Sequence, residues 1–125
     1  RQNRAEIRGS THQSVSEQVN EVYLTIAEDE RLSKLISEMM EDSNLRKNLN
    51  PADQISLDFV ILTGLRRIEN IHLQYLDGIL SNDAFDRIGM NFYRKQYAKE
   101  TWEMYKGGFD SDFVAFFETF RDEVK

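Results

Sequence analysis

Apolar residues recur along this chain at helical spacing. Between His12 and Ile26 they are Val15, Val19, Val22 and Ile26, separated by four, three and four residues, with polar Ser, Glu, Gln and Asn in between. Such spacing lays one narrow apolar stripe along a helix. Valine loses side-chain freedom in a helix, so this segment needs neighbours to pack against. The pattern predicts an N-terminal helix within 1–28, with the stripe as a candidate interaction surface. Glu28-Asp29-Glu30 then signals a short helix over 30–42 through Leu32, Leu35, Ile36, Met39 and Met40, either after a kink or as a continuation of the first. Residues 44–50 read as a connection. Asn50-Pro51 puts a capping side chain before a proline at the first helical position, where its missing N–H costs nothing. The helix that follows, 51–78, is apolar round most of its circumference, with Thr63, Arg67, Asn70 and Gln74 on the wet strip. Gly78 suits the left-handed residue that ends a helix.

Ser81-Asn82-Asp83 is the next start signal. Residues 82–106 read as one helix or two, with Phe85, Ile88 and Phe92 inward, Arg87, Lys95 and Lys99 outward, and a break at Gly107-Gly108. Asp110 caps a last helix, 111–124, that carries Phe113, Phe116, Phe117, Phe120 and Val124 on one face. No segment of useful length alternates with strand period. The expected architecture is therefore all-α: a compact bundle of five or six helices around the hydrophobic helix 51–78, forming a single domain over 1–125. Among the aromatic residues only Tyr23, Phe59 and Tyr75 precede position 84, so the C-terminal helices supply the bulky core filling.

Composition narrows the function classes. The chain has 125 residues, 40% of them hydrophobic, enough for one core. It has no cysteine, which removes thiolate metal sites, iron–sulfur clusters and thiol catalysis. A net charge of −6 has the wrong sign for gripping phosphate backbones, so nucleic acid is not an expected partner. The charge is uneven: Arg1, Arg4 and Arg8 against Glu6 make the first eight residues +2, leaving −8 on the remainder.

Glu69-Asn70-Ile71-His72 is an E-x-x-H, the spacing that lets a carboxylate and an imidazole reach one metal from a helix face. A di-iron bundle needs two such motifs, and the other histidine, His12, follows Gly9 at that spacing. No H-E-x-x-H, G-x-S-x-G or phosphate-binding glycine loop occurs, so no catalytic residues, metal or cofactor are expected, and the chain reads as not an enzyme. Glu69 and His72 nevertheless fall in the apolar arc shared by Leu65, Ile68 and Leu76, where polar groups need partners. The expectation is a buried, hydrogen-bonded cluster of Arg66, Glu69, His72, Tyr75 and Arg94, either structural or lining a ligand pocket.

Several short segments, Arg1-Gln2-Asn3, Arg66-Arg67-Ile68-Glu69-Asn70, Tyr75-Leu76-Asp77-Gly78-Ile79-Leu80-Ser81, Trp102 and Phe109-Asp110-Ser111-Asp112-Phe113, occur in an order that resembles a group of uncharacterised small bacterial proteins. In that group a single N-terminal membrane helix runs into an L-R-Q-N-type segment and a small helical domain. This chain departs from it at Ser111, where proline often follows the cap, and at Phe85, where tryptophan is expected. The resemblance implies location and architecture, and no activity. A membrane span upstream of Arg1, followed at once by arginines, places the domain on the cytoplasmic side by the positive-inside rule. The functions that remain are a non-enzymatic, membrane-tethered protein-interaction domain with an unknown protein partner, monomeric or weakly dimeric by itself, and a small-molecule or metal sensor around Glu69, His72 and Tyr75.

Overall fold

Residues 17, 20–80 and 82–123, described by a computed structural model, form six α-helices and three 3-10 turns, with no strand among them. The protein is an all-α bundle built on its central helix. Helix α1 (20–28) ends at Asp29, whose extended backbone breaks the helix and whose carboxylate accepts the Leu32 N–H at 3.0 Å. One residue thus separates α1 from α2 (Glu30–Glu41) and caps the second. Helix α2 buries Leu32, Leu35, Ile36 and Met39, and leaves Met40 exposed. Val15 and Val19 lie outside the described residues; Val22 and Ile26 are half-buried.

The segment read as a connection contains a 3-10 turn, Ser43–Asn48, opened by the Asp42 carboxylate on the Asn44 N–H. This turn carries Arg46 into the core. Helix α3 (Pro51–Leu76) runs 26 residues, about 39 Å. Asn50 Oδ1 accepts the Asp53 N–H at 2.8 Å, and Pro51 opens the first turn. At the other end Gly78, at φ 77°, lets its own N–H reach the Tyr75 carbonyl and the Ile79 N–H reach the Gln74 carbonyl. Those two bonds close the helix two residues before the expected position 78. The wet strip is also rotated from the expected one. Thr63 and Asn70 are exposed, but the strip continues through Ile55, Phe59, Arg66, Leu73 and Leu76, while Arg67 and Gln74 are half-buried. The apolar arc of α3 is wider than its neighbours can cover, and their placement, not the helical wheel, selects what stays wet.

Residues 82–106 are three pieces, more broken than one helix or two: a 3-10 turn (Asn82–Arg87), α4 (Met90–Tyr93) and α5 (Gln96–Tyr105). Gly89 adopts φ 64°, and a Cβ there would lie 2.7 Å from the Tyr23 hydroxyl, so the break needs glycine twice over. Lys95 is extended and separates α4 from α5. After a 3-10 turn (Lys106–Gly108), the Asp110 carboxylate accepts the Asp112 and Phe113 N–H groups, both at 3.1 Å, and opens α6 (Ser111–Asp122). Ser81 and Val124 lie outside the described residues. Trp102 of α5 packs on Phe117 and Phe109, with ring centroids at 4.5 and 5.3 Å.

A charged network runs from this core to the half-buried Glu100, whose carboxylate lies 3.3 Å from Arg46 Nε. Arg46 donates to the Asp58 carboxylate of α3, to the Tyr97 carbonyl at 3.0 Å and to the Thr101 hydroxyl at 2.8 Å. Thr101 in turn donates to Asp58 at 2.7 Å. Arg46 and Asp58 are only 5% and 2% exposed. Among the described residues no helix is long and apolar enough to cross a membrane.

Candidate functional site

The E-x-x-H residues lie where α3 meets the start of α6. Glu69 is half-buried; its carboxylate accepts Arg66 Nη1 and the Asp110 backbone N–H, each at 3.1 Å. It therefore satisfies an amide left free at the N-terminal end of α6, where a negative charge is also favoured by the helix dipole. Arg66 donates to the Gly108 carbonyl at 3.2 Å and lies 3.9 Å over the Phe109 ring. Arg66 and Glu69 together pin the loop before α6 to α3.

His72 departs from the expected hydrogen-bonded histidine. It is buried against Phe116, Phe113 and Tyr75, with ring centroids at 4.4, 5.6 and 6.4 Å, and its Nδ1 has no partner among the described residues. Phe113 and Phe116 of α6 pack against its ring, so His72 is an aromatic packing residue. Arg94 does not join the cluster either. At the end of α4, its Nε donates to the Arg121 carbonyl and its Nη1 to Asn91 Oδ1, both at 2.7 Å. It satisfies the last turn of α6, far along that helix from Glu69. No group of three metal-ligating side chains occurs among the described residues.

Burial pushes the His72 pKa below its ordinary 6.5, against the opposing pull of Asp110, Asp112 and Glu69. The unfolded chain then binds the extra proton, so stability is full above pH 6.5 and declines as pH falls from there toward the folded value. Between about pH 7.5 and about pH 5.5 the wild type should lose more in melting temperature than His72→Phe, which carries no such proton. Parallel losses in the two proteins would remove His72 from the pH response.

The open volume lies elsewhere. A cavity of about 650 Å³ is walled by Val22, Tyr23 and Ile26 of α1, Ile36 and Met40 of α2, Gly64, Arg67 and Ile68 of α3, and Phe92 and Tyr93 of α4, with Ile88 and Gly89 between them. Most of this wall is apolar. Ser33, Ser37 and Glu41 of α2 add polar groups to it, and a charged pair stands where α1 faces α3: Arg67 Nη2 pairs with Glu21 Oε2 at 2.9 Å, and Arg67 Nε has no hydrogen-bond partner among the described residues. Tyr93 is buried beside them, and burial first, then the nearby Tyr23, raise its pKa while Arg67 lowers it. The Tyr93 hydroxyl lies 2.0 Å from where a Cβ on Gly64 would sit, so the closeness of α4 to α3 requires a glycine there.

Sequence reasoning missed this cavity because its walls come from segments far apart in the chain. Two signals pointed towards it. Half of the valine stripe, Val22 and Ile26, lines it, and a glycine inside a long helix, costly by about 1 kcal/mol, usually marks close packing. Comparison with known protein families, curated proteins and solved structures finds no match for this chain.

Proposed function

We propose that the protein is a non-enzymatic, membrane-tethered helical binding domain facing the cytoplasm, and that its binding site is the cavity among α1, α2, α3 and α4. The cavity carries this reading. Its volume of about 650 Å³ falls within the range of small-molecule sites, roughly 300–1,000 Å³, and such sites combine an apolar wall with a few converging polar groups. Glu69 holds the loop before α6 and His72 is packed among rings, so the cavity at Arg67 supports a sensor role better than the E-x-x-H does. The tether rests on Arg1, Arg4 and Arg8, the flank expected of a preceding span, and on the resemblance to membrane-anchored proteins.

A protein-contact reading is favoured by a different observation. Ile55 and Phe59, one turn apart on α3, are 52% and 56% exposed and border a shallow groove with Val22 and Thr25. Adjoining exposed apolar side chains are a surface that a protein partner can cover. In this reading the domain meets an unidentified protein along α3 and is itself monomeric or weakly dimeric.

Two measurements on the same expressed gene test the proposal. The full-length product should stay with membranes through a high-salt wash and leave them with detergent. The purified chain should brighten an apolar fluorescent dye, and Ser37→Trp, an exposed residue on the cavity wall, should suppress that signal without changing helicity. Recovery in the aqueous fraction overturns the tether, and a dye signal that Ser37→Trp leaves intact overturns the cavity as the binding site.

A further inference from the structure

We propose that the cavity takes a free single-chain aliphatic carboxylate, a fatty acid, whose carboxylate binds Arg67 in place of Glu21. The inference rests on the cavity being a binding site and specifies the occupant. Among the described residues of its wall, Arg67 is the one cation, and Glu41, the one carboxylate, is exposed at the end of α2. Glu21 already pairs with that cation, so a ligand anion fits this wall by taking Glu21's place at Arg67, with an apolar body beyond it.

The guanidinium geometry favours a carboxylate over other anions. Nε and Nη2 form one edge of the planar fork, which matches the two oxygens of a carboxylate. Glu21 pairs with Nη2, and Nε has no acceptor among the described residues. Nε itself is shielded from solvent although the Arg67 side chain is 28% exposed, and a shielded donor left unmet is costly. Glu21 is also a weak holder of the site: its side chain is 62% exposed, and pairs with so exposed a partner contribute little. A carboxylate on the cavity side of Arg67 displaces Glu21 from Nη2 at lower local dielectric, and Nε, shut off from solvent as Arg67 now stands, comes within its reach when the guanidinium turns inward.

The apolar remainder of the ligand follows from Val22, Ile26, Ile36, Ile68 and Phe92, which offer dispersion contacts and no hydrogen-bonding group. A volume of about 650 Å³ suits one drug-sized molecule, hence one acyl chain and not a two-chain phospholipid with its head group. A protein bound to a membrane surface would meet such molecules as they partition from the bilayer.

Titration calorimetry on the 125-residue chain, with dodecanoate and its neutral counterpart dodecanol below their aggregation limits, tests the assignment. Dodecanoate should bind at a single saturable site, and dodecanol more weakly. Arg67→Gln should weaken dodecanoate about tenfold or more, as loss of a bidentate charge-assisted contact implies, and should leave dodecanol unchanged. Glu21→Gln removes the competing carboxylate from an exposed position and should tighten dodecanoate severalfold. If Arg67→Gln fails to fold, Glu21→Gln decides: tighter binding supports the proposal and unchanged binding overturns it. Dodecanol binding as tightly as dodecanoate overturns the carboxylate while sparing the cavity as a site. No binding of either molecule beside a positive dye signal rejects the aliphatic ligand alone, and failure of dye and both ligands removes the underlying reading as well.

Discussion

Asp58→Ala should destabilise the protein by about 3–5 kcal/mol and lower its melting temperature by on the order of 10–20 °C. Among the described residues Asp58 is the carboxylate that both Arg46 and Thr101 donate to inside the core, and Arg46 is 5% exposed. Removing the acid leaves a guanidinium buried with the Tyr97 carbonyl, the Thr101 hydroxyl and the half-buried Glu100 carboxylate at 3.3 Å. None of these replaces a fully buried countercharge, so the remaining cation bears the penalty. Asp53→Ala is the matched control. Its pair with Arg31 is largely exposed and should contribute no more than about 1 kcal/mol. Replacing both partners, Arg46→Met with Asp58→Leu, should recover much of the lost stability, because an apolar pair has no desolvation cost. Chemical denaturation of the four proteins measures all of this. An Asp58→Ala variant within 1 kcal/mol of wild type would falsify the claim that the network is strongly coupled to folding.

Gly64→Ala should also destabilise, by about 1–3 kcal/mol, although alanine inside a helix ordinarily stabilises by about 0.5–1 kcal/mol over glycine. The reversal comes from Tyr93. Its hydroxyl lies 2.0 Å from the new Cβ, and its ring is buried on a four-residue helix held between Gly89 and Lys95, so it has little room to withdraw. Tyr93→Phe removes the colliding oxygen and leaves Cζ at 3.1 Å, a tight contact that a small shift relieves. The Gly64→Ala/Tyr93→Phe double variant should then be more stable than Gly64→Ala alone. A double-mutant cycle reads this as a coupling of about 1 kcal/mol or more. Additive effects of the two substitutions would show that the close approach does not govern Gly64.

The helix ends were legible because their causes are local. Asn50 before Pro51, Gly78 after α3 and Asp110 before α6 act on amides and carbonyls within a few residues, and each makes the bonds its residue type implies. The all-α class followed from spacing for the same reason, since a period of three and four positions is a property of neighbouring residues. Breakage within 82–106 was harder to read. Gly89 is a weak signal alone, and what makes it necessary is Tyr23, which lies more than sixty residues earlier in the chain.

By itself, the sequence determined the all-α class, the capped starts of α2, α3 and α6, and that α3 is the apolar centre. Tertiary structure alone decided what the polar residues do. Arg46, in a segment whose pattern predicts a connection, is the hub of the core network; His72, which the helical wheel predicts to hydrogen-bond, is packed among rings; Arg94, predicted beside Glu69, serves the far end of α6. The cavity at Arg67 likewise exists only once α1 and α4 have been laid against α2 and α3. The division is physical. Backbone capping and helical periodicity are satisfied within a turn or two, whereas a buried charge, an empty volume and a forced glycine depend on which distant surface the folded chain brings within a few ångströms.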